Sequence, residues 1–257
     1  MFLLRNKYRR RIQLLRQPWS DNELKVLESC ALYHQLTPIL QNKLRRTTRV
    51  LMAEKRWEGC AGLEITTEIQ IVVASHAALL LLYIDHDYFS MVPTILVYPR
   101  SFATAKADDH SEEEFVPDKA AEGQAVYRGP VILAWEEVLH DAQFPAEGEN
   151  VVIHEFAHQL DFLDLSVDGV PLLNSVSARN SWKTTISLAL EQHRLELVKA
   201  KKSLFPAAAA ENATEFFAYA TEAYYTRPLE LLSTYPVVFE LLRSFYKLNT
   251  ASIPWRF

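Results

Sequence analysis

Positions 154–158 read His154-Glu155-Phe156-Ala157-His158, two histidines four apart with a glutamate directly after the first. On a helix, residues four apart project from one face, one turn above the other. Two imidazole nitrogens can then close on a single zinc ion at about 2.0–2.1 Å each. Glu155 sits where it can reach a metal-activated water and take its proton. The chemistry implied is hydrolysis with zinc, and peptides are the usual target of this pattern.

The surrounding residues must hold this pair on a helix. Val151, Val152 and Ile153 precede the motif, and Phe156, Ala157, Leu160, Phe162 and Leu163 continue an apolar run. Gly148 and Asn150 mark a turn before it, and Asp168-Gly169 mark one after. The helix is therefore apolar enough to be buried. Polar groups buried there without partners would cost about 1–3 kcal/mol each. Metal ligation removes that cost; the alternative is a core helix whose histidines bond backbone or carboxylates.

Composition narrows the class. At 257 residues, 49% hydrophobic and 23% charged, the chain suits one large domain or a domain with a helical subdomain. The expected division is an N-terminal helical region over residues 1–60, packed on a catalytic domain over 61–257. A net charge of −5 gives no global argument for direct nucleic-acid binding or for an anionic membrane surface. Cys30 and Cys60 are too few for a disulfide framework and lack zinc-knuckle spacing, so both are expected as free thiols. The segment from Met1 to Arg11 has no apolar stretch after its charges and does not read as a secretory signal. The most apolar run, Ala77 to Tyr83, falls well short of the roughly 20 residues that span a bilayer. A cytoplasmic protein without membrane contact is expected.

Other elements follow from periodicity. Leu24, Val26, Leu27, Cys30 and Leu32 recur at helical intervals, with Ser20 and Glu23 spaced as a capping box. The clusters Arg9-Arg10-Arg11 and Lys43-Arg45-Arg46-Arg49 could meet an acidic partner, although solvated helix faces look the same. Thr67 and Gln70 open a helix expected over 68 to about 84, apolar on nearly every side and so central to a core. Thr94–Tyr98 and Val131–Trp135 read as strands, the second close enough to the motif to offer an edge for an extended peptide or to be purely internal. The acidic stretch 104–124 reads as a loop. Helices are expected from 181 to about 202 and from near Asn212, followed by one amphipathic helix and a tail in the last thirty residues.

A catalytic zinc needs a third protein ligand beside an open position. Gly169 and His193 are not placed to extend the motif, which leaves a later glutamate. Glu215 and Glu222, seven residues apart, share one face of an apolar helix, and spacing does not choose between them. Asp161, three residues after His158, could orient a ligand histidine or serve as a cap.

The segments Thr94-Ile95-Leu96-Val97-Tyr98-Pro99, Gly129-Pro130-Val131-Ile132-Leu133-Ala134-Trp135, Asn150 to Asp161, and Glu215-Phe216-Phe217-Ala218 resemble the Mlc titration factor A family of bacterial zinc peptidases, as does the apolar run Ala77 to Leu82. That family is similar in its metal site to anthrax lethal factor. The resemblance covers most of the chain from about residue 50. It implies an α+β, zincin-like metallopeptidase domain, mostly helical with a small sheet and preceded by N-terminal helices. It also implies Glu215 as the third ligand, with Glu222 behind it or structural. Aminopeptidase-like activity and binding to a transcriptional repressor of sugar uptake are further implications. One departure stands out. Family members often carry a tyrosine seven residues before the ligand glutamate, proposed to stabilise the oxyanion, and here that position is Ala208. Tyr219, Tyr224 and Tyr225 are the candidates to replace it or are packing aromatics. The expected reaction uses zinc on His154, His158 and Glu215, with Glu155 as general base towards a peptide substrate.

Overall fold

The computed structural model describes residues 2–100 and 129–253; the expected acidic loop at 104–124 lies outside them. Four helices open the chain: α1 (Phe2–Arg16), α2 (Asp21–Ser29), the single turn α3 (Ala31–His34) and α4 (Pro38–Glu54). The capping box at α2 forms as its spacing predicts. The Ser20 N–H donates to Glu23 Oε2 at 2.8 Å, and the Glu23 N–H donates to Ser20 Oγ at 3.3 Å.

Where only helices were expected before residue 60, the chain also makes a strand, β1 (Arg56–Gly59). Its charges and terminal glycine hide the usual strand signature. Its identity comes from pairing: β1 lies parallel to β2 (Thr94–Tyr98), and β2 lies parallel to β3 (Val131–Ala134), in the order β1-β2-β3. Ile95 and Val97 point into the core and alternate with half-buried neighbours, the period-two pattern of a strand. Trp135, expected to end β3, instead opens helix α6 (Trp135–Gln143).

Between β1 and β2 runs α5 (Thr67–Leu79), capped by Thr66 and buried at every position from Ile71 onward. It stops five residues before the expected 84. The N–H groups of Leu81 and Leu82 fall back to carbonyls three residues earlier, and the Leu79 carbonyl accepts the Tyr225 hydroxyl at 3.2 Å. Helix α7 (Val151–Asp161) carries the motif. It is followed by α8 (Val176–Val198), which begins five residues before the expected 181 because Ser175 caps it. Then come α9 (Ala213–Thr226), α10 (Pro228–Thr234) and α11 (Pro236–Tyr246). The last two were expected as one helix. Pro236 has no N–H to continue the ladder, so the chain breaks at Tyr235.

One apolar core holds these pieces together. It takes Leu27 and Leu44 from the N-terminal helices, Ile71 and Val73 from α5, Phe156 and Leu160 from α7, and Phe216 and Phe217 from α9. Apolar packing therefore crosses residue 60 without a break. Among the described residues, no helix is long and apolar enough to cross a membrane. Cys30 is buried and Cys60 half-buried, both as free thiols.

Candidate metal centre

The start of α7 is pinned from three directions. Asn150 Oδ1 accepts the Ile153 N–H at 3.0 Å as a helix cap, and Asp141 accepts the Val151 N–H at 2.8 Å. The N–H of Asn150 itself donates to Glu222 Oε2, also at 2.8 Å. Facing α7 is α9, whose cap Asn212 accepts the Glu215 N–H at 2.9 Å. Glu215 therefore sits in the first turn of α9, and Glu222 lies two turns further along the same face.

Three side chains from the two helices converge. His154 Nε2 and His158 Nε2 are 3.1 Å apart. Glu215 brings one oxygen to 3.3 Å from His154 Nε2 and the other to 3.5 Å from His158 Nε2. A tetrahedral ion with arms of 2.0–2.1 Å separates its ligand atoms by about 3.3–3.4 Å. The observed separations are of that order, so the three side chains lie close enough to share one cation. The donor set is made of borderline and hard donors, imidazole and carboxylate, with no thiolate. The Glu215 side chain keeps 27% of its exposure, which leaves the cluster open on one side.

Electrostatics agree. Burial alone would strip a positive charge from His154, yet its hydrogen bonds to the carboxylates of Glu215 and Glu222, with the nearby charge of Glu155, push its pKa up to about 10. Glu155, Glu215 and Glu222 thus concentrate negative charge around His154. Glu222 is almost wholly buried and binds His154 Nδ1 through Oε1 at 2.6 Å. The bond fixes the ring and leaves Nε2 facing Glu215 and His158, the atom that would meet a metal. Glu222→Gln is expected to weaken metal affinity by about 10–100-fold, the usual cost of losing such an outer partner. Competition with a chromophoric chelator measures it.

A profile described as glucose-regulated metallo-peptidase M90 matches residues 4–247. The chain belongs to this family. An uncharacterized protein of Synechocystis sp. is 30% identical over 92% of this chain and 87% of its own length. The Mlc titration factor A of Klebsiella pneumoniae is 27% identical over 82% and 80% of the two chains. That of Serratia proteamaculans is 26% identical over 91% and 93%. Resemblance to the titration factor family is thus shown across the chain, and a metallo-peptidase family implies a metal.

In this M90 chain the other sequence candidates sort by contact. The Tyr219 ring stands edge-on to His154 with centroids 4.6 Å apart. Tyr224 and Tyr225 instead lie in the core, with hydroxyls donating to the carbonyls of Leu248 and Leu79. Of the three tyrosines weighed for the role missing at Ala208, only Tyr219 borders the cluster. Burial, helped by Glu222 and Glu215, pushes its phenol up to about 12, so it stays protonated and can donate a hydrogen bond at neutral pH.

Asp161 works elsewhere. Fully buried, it accepts the Gly169 N–H at 3.0 Å, the Val170 N–H at 2.8 Å and the Thr214 hydroxyl at 3.1 Å. It ties the turn after the motif to the start of α9, and so sets the distance between the two helices that bear the cluster. Gly169 has φ +70, and a Cβ there would lie 2.4 Å from the Ala213 carbonyl oxygen, so only glycine fits. Asp161→Ala would orphan these donors and is expected to cost about 3 kcal/mol, read as a lower urea midpoint at unchanged slope. Spacing pointed to Asp161 but could not show its partners, because they come from residues 8 to 53 positions away.

Proposed function

We propose that this M90 chain is a zinc-dependent peptidase of aminopeptidase type, built on a zincin-like catalytic domain over 61–257 with the N-terminal helices packed on it. The observation that carries the reading is the convergence of His154, His158 and Glu215 within metal-ligand reach of one another beside Glu155. His154, His158 and Glu215 would hold the metal. Zinc bound there would supply a Lewis acid, lowering the pKa of a water toward about 7 and polarising a carbonyl.

The protein's own residues do the rest. Glu155, half-buried next to His154, takes the proton from the attacking water and passes it to the leaving amine. Glu222 keeps His154 in the tautomer that presents Nε2. Tyr219 stands ready to donate to the developing oxyanion, in place of the tyrosine that Ala208 lacks. With three protein ligands converging and Glu222 engaged behind them, the arrangement fits an open catalytic site better than a closed structural one.

A regulatory role is proposed beside the chemistry. Relatives are named Mlc titration factor A, and binding of a transcriptional repressor of sugar uptake is carried over to this chain, proposed to be cytoplasmic, on the strength of that resemblance. The segment after the motif exposes Leu163, Leu165, Val167 and Leu172, apolar side chains of the kind that meet peptides or proteins. A second reading, a repressor-sequestering protein with little peptidase activity, is favoured by Ala208. Zinc-loaded protein offered a peptide library with free and blocked amino termini decides between them. Cleavage confined to free amino termini is expected; a fully zinc-loaded protein that cuts no peptide would leave only the binding role.

A further inference from the structure

Away from the metal centre, a cavity of about 460 Å³ opens between α1, the end of α4 and the segment leading into β2. Asn6, Lys7 and Arg10 line it from α1, Glu54 and Lys55 from the end of α4, and Ser90 from the third side. Its carboxylates are already engaged. Glu54 takes a two-pronged bond from Arg11 at 2.7 and 2.8 Å, and Asp87 close by binds Lys7 at 3.0 Å and Arg11 at 2.8 Å.

Two cations in the wall are not so engaged. Arg10 donates to the Ala53 carbonyl at 3.2 Å, and the Lys55 ammonium donates to the Phe89 carbonyl. Both acceptors are neutral, and among the described residues neither cation forms an ion pair with a carboxylate. Lys55 is only 8% exposed, so its charge is largely desolvated. Burial draws its pKa down to about 8; Lys7 and Arg11 press the same way, and Glu54 and Asp87 offset part of the effect. The surplus extends beyond the cavity: residues 1–60 hold 13 Lys and Arg against 5 Asp and Glu, in a chain whose net charge is −5.

We propose that this cavity binds the phosphate of a small phosphomonoester, with Arg10 and Lys55 as the contacting cations and Asn6 and Ser90 as neutral donors. A phosphate dianion matches two positive charges, whereas one carboxylate would leave a charge unmatched. The volume is that of a small-molecule site, about 300–1,000 Å³, and leaves room for the organic part of an ester. The site does not depend on the metal centre.

Calorimetric titration of the full-length, zinc-loaded protein with glycerol 3-phosphate, and with glycerol as the uncharged control, tests the proposal at fixed ionic strength. Saturable binding of the phosphate ester alone is expected, weakened by roughly tenfold or more in Arg10→Gln and in Lys55→Gln. If Lys55→Gln fails to fold, the exposed Arg10 carries the test. No heat at millimolar ester, or undiminished binding in Arg10→Gln, overturns the proposal, the latter by placing the phosphate elsewhere.

Discussion

Glu155→Gln is expected to keep one zinc per chain while peptide hydrolysis falls by about 10²–10⁴-fold, the range that a positioned general base contributes. A thousandfold loss corresponds to about 4 kcal/mol of transition-state stabilisation. The amide keeps the shape of the side chain but cannot take a proton from water. Because Glu155 lies outside the converging trio, metal content should not change. Steady-state kinetics on a zinc-loaded sample, with metal measured on the same preparation, checks both halves. If the variant turns over peptide at the wild-type rate, Glu155 is not the base. Repressor binding at full strength by this variant would show that docking and hydrolysis are separable functions.

Glu215→Ala should have the larger effect on metal. It removes one of three converging ligands and should weaken zinc binding by more than the roughly 10–100-fold expected for Glu222→Gln. A ligand held only by the native state stabilises it by about 4 kcal/mol at a thousand times its dissociation constant. Zinc should therefore raise the thermal midpoint of the wild type and leave that of Glu215→Ala nearly unmoved. Thermal melts with and without zinc read this directly. A reversed order, with Glu222→Gln losing more zinc than Glu215→Ala, would exchange the roles of the two glutamates.

Much of the candidate site could be read from sequence because it rests on local periodicity. Four-residue spacing puts His154 and His158 on one face, and seven-residue spacing puts Glu215 and Glu222 on another. Spacing did not choose between the two glutamates; the resemblance pointed to Glu215, and the packing of α7 on α9 brings Glu215 to both Nε2 atoms and Glu222 to His154 Nδ1. The fold was legible to the same depth. The strands at 94–98 and 131–134 carry β-branched runs, while β1, with Arg56, Glu58 and Gly59, is a strand only because β2 lies beside it. Asp161 illustrates the same limit. Its position after the motif suggested a partner for histidine, yet its bonds go to a turn and to the first residues of α9. Helix ends moved where caps or tertiary bonds acted, as at Ser175 and at the Leu79 carbonyl.

His154, His158 and Glu215 are proposed to hold a single zinc ion together. X-ray absorption at the zinc edge of stoichiometrically loaded protein tests it most directly. A four-coordinate shell of nitrogen and oxygen at about 2.0–2.2 Å is expected, with the scattering signature of two imidazoles. A sulfur shell near 2.3 Å would place the metal on Cys30 or Cys60 and contradict it.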